Sequence, residues 1–311
     1  LNISKGGKIT TGGESKTLFT SLKSVNEGIV GLQKNVNFKS PINALVFISE
    51  NIVAVGLEDS SLWLVKLDTN EKTKVFKSKG WRPGKVLKTV TNTFVKGINF
   101  VEYSSKNKTL IASLEKELIF IDFDKINDGK KAFTNKFKLN NLETDEIIVS
   151  MSYSETSNTF FLATSIGNVI LFDLETEKLL KFNNKLLNIV NETAVEIEYY
   201  NDTVFIGTKE GSVYVYEYNK NKKLRYLRSK RANFSQISDI LFDNNTLYTL
   251  TKNGDLTMLS YSENAVGEKK MKTPVSINFG EKIFGNAIES FTYRGIQYFV
   301  TADSSGNLIY W

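Results

Sequence analysis

The stretch that decides the fold is Thr203-Val-Phe-Ile-Gly-Thr-Lys-Glu-Gly-Ser-Val-Tyr-Val-Tyr-Glu-Tyr218. It reads as an apolar strand ending in small residues, a polar turn holding Gly211, and a second strand of alternating β-branched and aromatic residues. The same design recurs at Asn51–Leu67, Thr109–Phe123, Phe160–Leu174, Thr246–Leu259 and Tyr298–Trp311. The first apolar positions after the six turns are Leu62, Leu118, Val169, Val213, Leu256 and Leu308, which stand 43 to 56 residues apart. A self-similar period of that size marks a repeat architecture built from one supersecondary unit.

Each hairpin has an apolar strand upstream: Ile42–Phe47, Ile98–Tyr103, Ile147–Tyr153, Val195–Tyr200, Ile237–Phe242 and Ile288–Tyr293, all ending on an aromatic. Downstream comes a weaker, more charged segment such as Lys178–Phe182 or Lys223–Leu227. That order gives one inner, two middle and one outer strand, with charge on the exposed edge. Gly167-Asn168, Glu210-Gly211, Asn253-Gly254 and Ser305-Gly306 are pairs suited to two-residue hairpin turns of positive φ. Asp59-Ser60 and Glu115-Lys116 in the first two units depart from this and predict looser turns. The expected fold is all-β, a single β-propeller of four-stranded blades, seven or six in number. Two β-sandwiches are the alternative, and six quasi-regular hairpins of one type argue against them. Residues 41–311 are the propeller repeats. Residues 1–40 form an N-terminal segment that closes the ring or makes part of an extra blade. Leu18–Leu22 or Ile29–Gln33 could supply the outer strand missing after Trp311.

The six hairpins resemble WD40 repeats. Phe172-Asp173 and Ile121-Asp122 stand where that family closes its third strand with Trp-Asp, and Trp311 ends the last such strand. The resemblance implies a non-enzymatic, protein-binding scaffold that serves as a docking platform in a multiprotein assembly. The family's polar tetrad of His, Asp, Ser/Thr and Trp cannot form in its standard version, because the chain has no histidine. Asp59, Asp255 and Asp303 near the turns need other partners. The units are also similar to pyrroloquinoline-type propeller repeats, through Leu67-Asp68-Thr69-Asn70-Glu71-Lys72 and Phe172-Asp173-Leu174-Glu175-Thr176-Glu177-Lys178, without that repeat's Gly.

Composition removes much chemistry. The 311 residues contain neither Cys nor His, so no disulfide, thiolate zinc site, Cys nucleophile or Ser-His-Asp triad exists. No cofactor is expected. No apolar run approaches the length of a membrane helix. Absence of Cys, with a chain opening on Leu1, leads us to expect an extracytoplasmic protein, periplasmic or secreted. Composition bias in a cytoplasmic protein is the alternative.

Candidate sites follow from charge. The net charge of +6 permits partners that are acidic proteins, nucleic acid or anionic surfaces, without requiring them. Lys220-Asn-Lys-Lys-Leu-Arg-Tyr-Leu-Arg-Ser-Lys-Arg231 interleaves Tyr226 with Arg225, Arg228, Lys230 and Arg231. It reads as a partner-binding patch, or as a charged outer edge strand guarded against edge pairing. Trp81-Arg82, in the long segment between the first two hairpins, has hot-spot composition; a Trp packed over a blade junction is the plainer reading. Glu102, Glu196, Glu198, Asp239 and Glu289 lie on or near the inner strands. They would serve a carboxylate-based glycan hydrolase if brought together, and otherwise are acids on the channel wall. Asp122–Gly129 has clustered acids but not the spacing of a calcium loop.

Overall fold

Four antiparallel strands joined by short turns make the recurring element. The computed structural model describes residues 2–3, 9–11, 17–23, 30–49, 51–78, 97–127, 133–140, 142–143, 146–182, 187, 189, 191–219, 223–243, 245–263, 269–271, 275–278, 285–293, 296–303 and 308–310. Among these residues the strands pair into seven sheets, each following chain order. The first comprises β1 (Asn2–Ile3), β2 (Ile9–Thr11), β3 (Thr17–Lys23) and β4 (Val30–Asn37). The second comprises β5 (Ile42–Ser49), β6 (Ile52–Leu57), β7 (Ser61–Lys66) and β8 (Glu71–Lys77). The third has β9 (Ile98–Ser104), β10 (Thr109–Leu114), β11 (Glu117–Asp122) and β12 (Phe133–Lys138), with a short helix α1 (Phe123–Asn127) before β12. Then come β13 (Ile148–Ser154), β14 (Thr159–Thr164), β15 (Val169–Asp173) and β16 (Lys178–Phe182), followed by β17 (Ala194–Tyr200), β18 (Thr203–Thr208), β19 (Ser212–Tyr218) and β20 (Leu224–Arg231). In the sixth, β21 (Ile237–Asp243), β22 (Thr246–Thr251) and β23 (Asp255–Glu263) continue into β24 (Lys269–Met271) and β25 (Val275–Asn278), both paired with β23. The last has β26 (Gly285–Tyr293), β27 (Ile296–Asp303) and β28 (Leu308–Tyr310). Contacts divide the chain into one unit of Leu1–Ile148 with Phe291–Tyr293, and another of Val149–Ser290 with Arg294–Trp311.

The burial pattern explains the sequence pattern. Second strands such as β14 and β18 are buried along their whole length. Their two faces serve two different cores: Val204 and Ile206 of β18 pack with Phe161, Ala163 and Leu171, whereas Phe205 packs with Ile237, Phe242 and Leu247. A strand covered on both faces must be apolar at successive positions, and this produces the near-continuous runs. Fourth strands have one covered face at most. β8 is accordingly exposed at most positions, β16 has no fully buried position, and both are rich in Lys.

In two first strands an aromatic near the end, Tyr199 of β17 and Phe242 of β21, has a specific task. Tyr199 stacks on Phe161 of the preceding sheet at 5.0 Å and an interplanar angle of 6°. Tyr218 meets the same Phe161 edge-on at 4.9 Å. One sheet later Phe242 stacks on Phe205 at 5.1 Å, and Tyr261 meets Phe205 edge-on at 5.7 Å. The two three-ring clusters use equivalent register positions, so one packing solution is repeated. Stacked and edge-to-face pairs each add about 0.5–1.5 kcal/mol beyond the area they bury.

The turns differ from the sequence expectation in length. Ala163 pairs with Val169, Gly207 with Val213 and Leu250 with Leu256. Thr164, Thr208 and Thr251 carbonyls accept from Gly167, Gly211 and Gly254 N–H, all three glycines at φ between 81° and 91°. Three-residue loops with a left-handed glycine therefore replace the expected two-residue turns. The threonine hydroxyls complete them by accepting from Asn168, Ser212 and Asp255 N–H at 3.0–3.1 Å. The Asp59-Ser60 turn is no looser: Gly56 pairs with Leu62, and Ser60, at φ 61°, takes the glycine's place. Glu115-Lys116, expected to be loose, is the tight two-residue turn, since Leu114 pairs directly with Glu117. Alternation alone does not reveal where the threonine hydroxyl closes the loop.

One further regularity aims side chains. Pairing skips a residue near the start of four first strands, at Asn43, Asn99, Val195 and Ser238. Such bulges turn the following residue, which is Glu196 in β17 and Asp239 in β21, out of simple alternation. Opposite Glu196 sits Gly207, where a Cβ would come within 2.8 Å of Ile237 Cγ2 of the next sheet. The small residues ending the second strands thus make room for the next first strand.

Phe205→Ala should lower stability by about 3–5 kcal/mol, the range for deleting a buried aromatic. Tyr200→Ala, one ring away but 41% exposed, should cost far less. Urea denaturation of both variants checks this; equal losses would remove the special role given to the three-ring clusters.

Candidate docking surface

The basic stretch becomes β20, the last strand of its sheet, and reaches Arg231 rather than ending near Leu227. Its pairing with β19 skips Leu227, which twists the free edge. Leu227 packs inward against the Phe205–Phe242 core. Arg225 and Arg231 are exposed beside it, whereas Arg228 and Lys230 are half-buried. Arg225 is held by Glu217, at 2.7 Å from Nη2 and 2.8 Å from Nε. Arg228 Nε is enclosed without a hydrogen-bond partner among the described residues. Arg231 reaches Glu192 at 3.8 Å and lies 5.3 Å from the ring centre of Phe234. Tyr226 is 40% exposed and packs against Tyr214 and Tyr216 through one side of its ring. Its hydroxyl donates to Ser229 Oγ at 3.1 Å. The stretch is thus a charged outer edge strand, with basic and aromatic side chains on it. Trp81 and Arg82 lie outside the described residues, as do Lys220 and Lys222.

Sequence reading missed two side chains at the end of β20. Phe234, in the connection to β21, is 86% exposed. Glu192 accepts from Thr208 Oγ1 at 2.7 Å and from Ser212 Oγ at 2.9 Å. A carboxylate thus links second and third strands from the loop preceding the first strand, where a WD40 repeat would place its histidine. A related network occurs in the second sheet. Trp63 Nε1 donates to Ser61 Oγ at 2.9 Å, Ser61 Oγ donates to Asp59, and Asp59 N donates to Ser40 Oγ at 3.0 Å. Lys77 pairs with Asp59 at 3.2 Å. The Asp59 carboxylate thus finds its partners in Ser61 and Lys77, while Ser40 takes its backbone N–H.

The inner-strand carboxylates are tied to the backbone. Ser150 Oγ donates to Glu196 Oε1 at 2.5 Å and accepts from Ile197 N at 3.1 Å. Ser152 Oγ donates to Glu198 Oε2 at 3.2 Å and accepts from Tyr199 N at 3.0 Å. Asp239 accepts from Ile240 N at 2.9 Å and Ile288 N at 2.8 Å, one on each oxygen. Enclosure by protein raises the Glu196 carboxyl well above its ordinary value, and the charge of Asp239 adds to the effect. Enclosure also pushes Asp239 up to about 6, against its two backbone donors, and Glu102 up to about 7. These side chains are not dry; each keeps some surface open to water. The side chain of Glu289 lies outside the described set. Asp122 caps α1 by accepting from Asp124 N at 3.1 Å and Lys125 N at 3.3 Å, so the acid-rich stretch beginning there starts as a helix cap. Among the described residues no group of three or more acidic side chains could hold a metal ion.

No family model matches the chain, and no curated protein matches it. Solved structures do. One chain of the crystal structure of a mitotic checkpoint complex superposes with a TM-score of 0.72 at 10% identity, over 100% of this chain and 85% of that one. The Cps50 (Swd1) β-propeller domain of Myceliophteria thermophila superposes with a TM-score of 0.69 at 9% identity, over 99% of this chain and 95% of that one. The fold is a β-propeller. The WD40 resemblance of the hairpins is a resemblance of fold, with each four-stranded sheet corresponding to a blade. No helix among the described residues is long and apolar enough to cross a membrane.

Glu102 titrates in the unfolded chain near 4.5 and in the folded protein near 7. The folded state therefore binds more protons between those values. Its contribution to stability is full below 4.5 and lost as pH rises through 7. Glu102→Gln should stabilise the protein by roughly 1–2 kcal/mol at pH 8 and leave it unchanged at pH 4. Urea midpoints at the two pH values measure this, and an equal gain at both would contradict the burial account.

Proposed function

We propose that this propeller is a non-enzymatic docking platform for other proteins within a multiprotein assembly. The observation that carries this reading is β20. It is the last strand of its sheet and carries Arg225, Tyr226, Arg228, Lys230 and Arg231, with Leu227 packed against the core. Display of arginine and tyrosine is the composition of binding hot spots. Trp81 and Arg82 belong to the proposal as a second contact. So does residence in an extracytoplasmic compartment, supported by the absence of cysteine. A chain of similar fold sits in a mitotic checkpoint complex, which supports a platform role in general and names no partner for this chain.

The glycan hydrolase alternative would draw on Glu196 and Asp239, which interact electrostatically. Both Asp239 oxygens already accept backbone N–H groups, and Glu196 is bound by Ser150. Such occupied carboxylates fasten neighbouring strands. Nucleic-acid binding through 220–231 would instead require a continuous run of free cations, and Arg225 and Arg231 are already shared with Glu217 and Glu192.

The test is cross-linking with mass spectrometry in source cells. Wild-type chain should yield protein cross-links at β20. Arg225→Ala/Arg228→Ala/Lys230→Ala/Arg231→Ala should lose them without a change in melting temperature. A chain that recovers no protein, but binds single-stranded nucleic acid with steep salt dependence, would replace this reading.

A further inference from the structure

Residues 232–236 join β20 to β21 and are clamped from both sides. Ala232 N and Asn233 N donate to Gly211 O at 2.9 and 3.0 Å, in the turn between β18 and β19. Gln236 O accepts from Lys252 N at 2.9 Å, at the start of the turn between β22 and β23. The approach at Gly211 leaves no room for a side chain, since a Cβ there would lie 2.3 Å from Asn233 O. Asn233 Oδ1 accepts from Phe234 N at 2.6 Å. The loop is therefore rigid, and it holds a phenylalanine 86% in solvent. No core requires that ring.

One cation lies against the ring, and two more stand in the turns that clamp the loop. Arg231 lies 5.3 Å from the ring centre. Lys209 opens one clamping turn and Lys252 the other, and both are exposed. Lys252 holds its proton less tightly than an ordinary lysine, through partial burial first and the charge of Lys209 second. Among the described residues neither lysine pairs with a carboxylate. The acids nearby are engaged: Glu210 accepts from Thr193 N at 2.7 Å, and Glu192 accepts from Thr208 and Ser212 and reaches Arg231 only at 3.8 Å, which leaves the lysines as the site's unshared cations among the described residues. Two like charges are thus held near each other in the two turns that clamp the loop carrying the exposed ring.

We propose that Phe234, Arg231, Lys209 and Lys252 form a docking site for an acidic peptide segment of a partner protein, with a large apolar residue placed on Phe234 and carboxylates on the cations. The charge pattern selects this occupant. Separate cations around one exposed apolar ring suit side-chain carboxylates spaced about a large apolar residue, rather than the evenly spaced charges of a phosphate backbone. An apolar anchor beside charge-assisted contacts is the usual centre of a small interface. The site rests on the docking reading above and names the chemistry of the partner.

The test uses a fluorescent synthetic peptide with Asp and Glu on both sides of one central Leu, titrated into the full chain by anisotropy. Phe234→Ser and Lys209→Glu/Lys252→Glu should each weaken binding roughly tenfold or more, with unchanged melting temperatures. Lys39→Glu/Lys178→Glu, which changes net charge equally elsewhere, should leave binding intact, and a peptide with Ser for Leu should bind poorly. No binding, equal binding of the Leu-free peptide, or equal weakening by the control pair overturns the site. So does a single-stranded oligonucleotide that outcompetes the peptide at the same residues. If the peptide fails while β20 still cross-links to a protein, the docking reading stands and this site falls. If neither is seen, both fall.

Discussion

From the fourth sheet to the sixth, the structure depends on the stacking of one sheet's first-strand aromatic against the second-strand phenylalanine of the sheet before it. Phe161 with Tyr199 and Tyr218, then Phe205 with Phe242 and Tyr261, make that contact twice in the same geometry. A four-stranded antiparallel sheet is too small to bury its own apolar faces. Each therefore borrows a face from the next, and the borrowed contact fixes the spacing and register of the neighbours. The other regularities serve it. Gly207 and Gly56 let a following isoleucine reach the second strand, and the bulges at Val195 and Ser238 turn the first strands into position.

Polar groups then fasten what the rings align. Without imidazole, the loop preceding the first strand supplies Ser40 to Asp59 in one sheet and Glu192 to Thr208 and Ser212 in another. The chemistry required at that point is a group able to bridge two strand ends. A hydroxyl or a carboxylate meets the requirement as well as a histidine, at different charge. The serines of β13 play the corresponding part at the other end of the sheet, binding β17 through Ile197 and Tyr199 N–H.

Repeat period, strand order and terminal aromatics were legible because each leaves a mark in alternation or spacing. Turn length was not. Gly167, Gly211 and Gly254 reveal positive φ, but the threonine hydroxyl that converts a two-residue turn into a three-residue loop is a contact with the fourth residue onward, invisible to a hydrophobic pattern. The basic edge at 225–231 was readable as composition. Phe234 was not, since one phenylalanine between Asn233 and Ser235 carries no pattern. Its meaning comes from Lys209 and Lys252, which lie 25 residues before and 18 after it and meet only when two turns clamp one loop. Glu192 escaped notice for the same reason.

Charge is partitioned in a way that the totals conceal. Forty basic and 34 acidic residues differ by only six. Yet carboxylates recur in structural roles: Asp59 and Glu192 bridge strands, Asp239 binds two backbone N–H groups, Glu196 is bound by a serine, and Glu217 holds an arginine. A carboxylate whose oxygens are taken by donors presents little field or hydrogen-bonding capacity to a visitor. An ammonium or guanidinium at the end of a long stem keeps both. Acids that serve the interior and cations that stand outside give a surface more basic in its reach than +6 suggests. That asymmetry, more than net charge, is what a partner with free carboxylates would find.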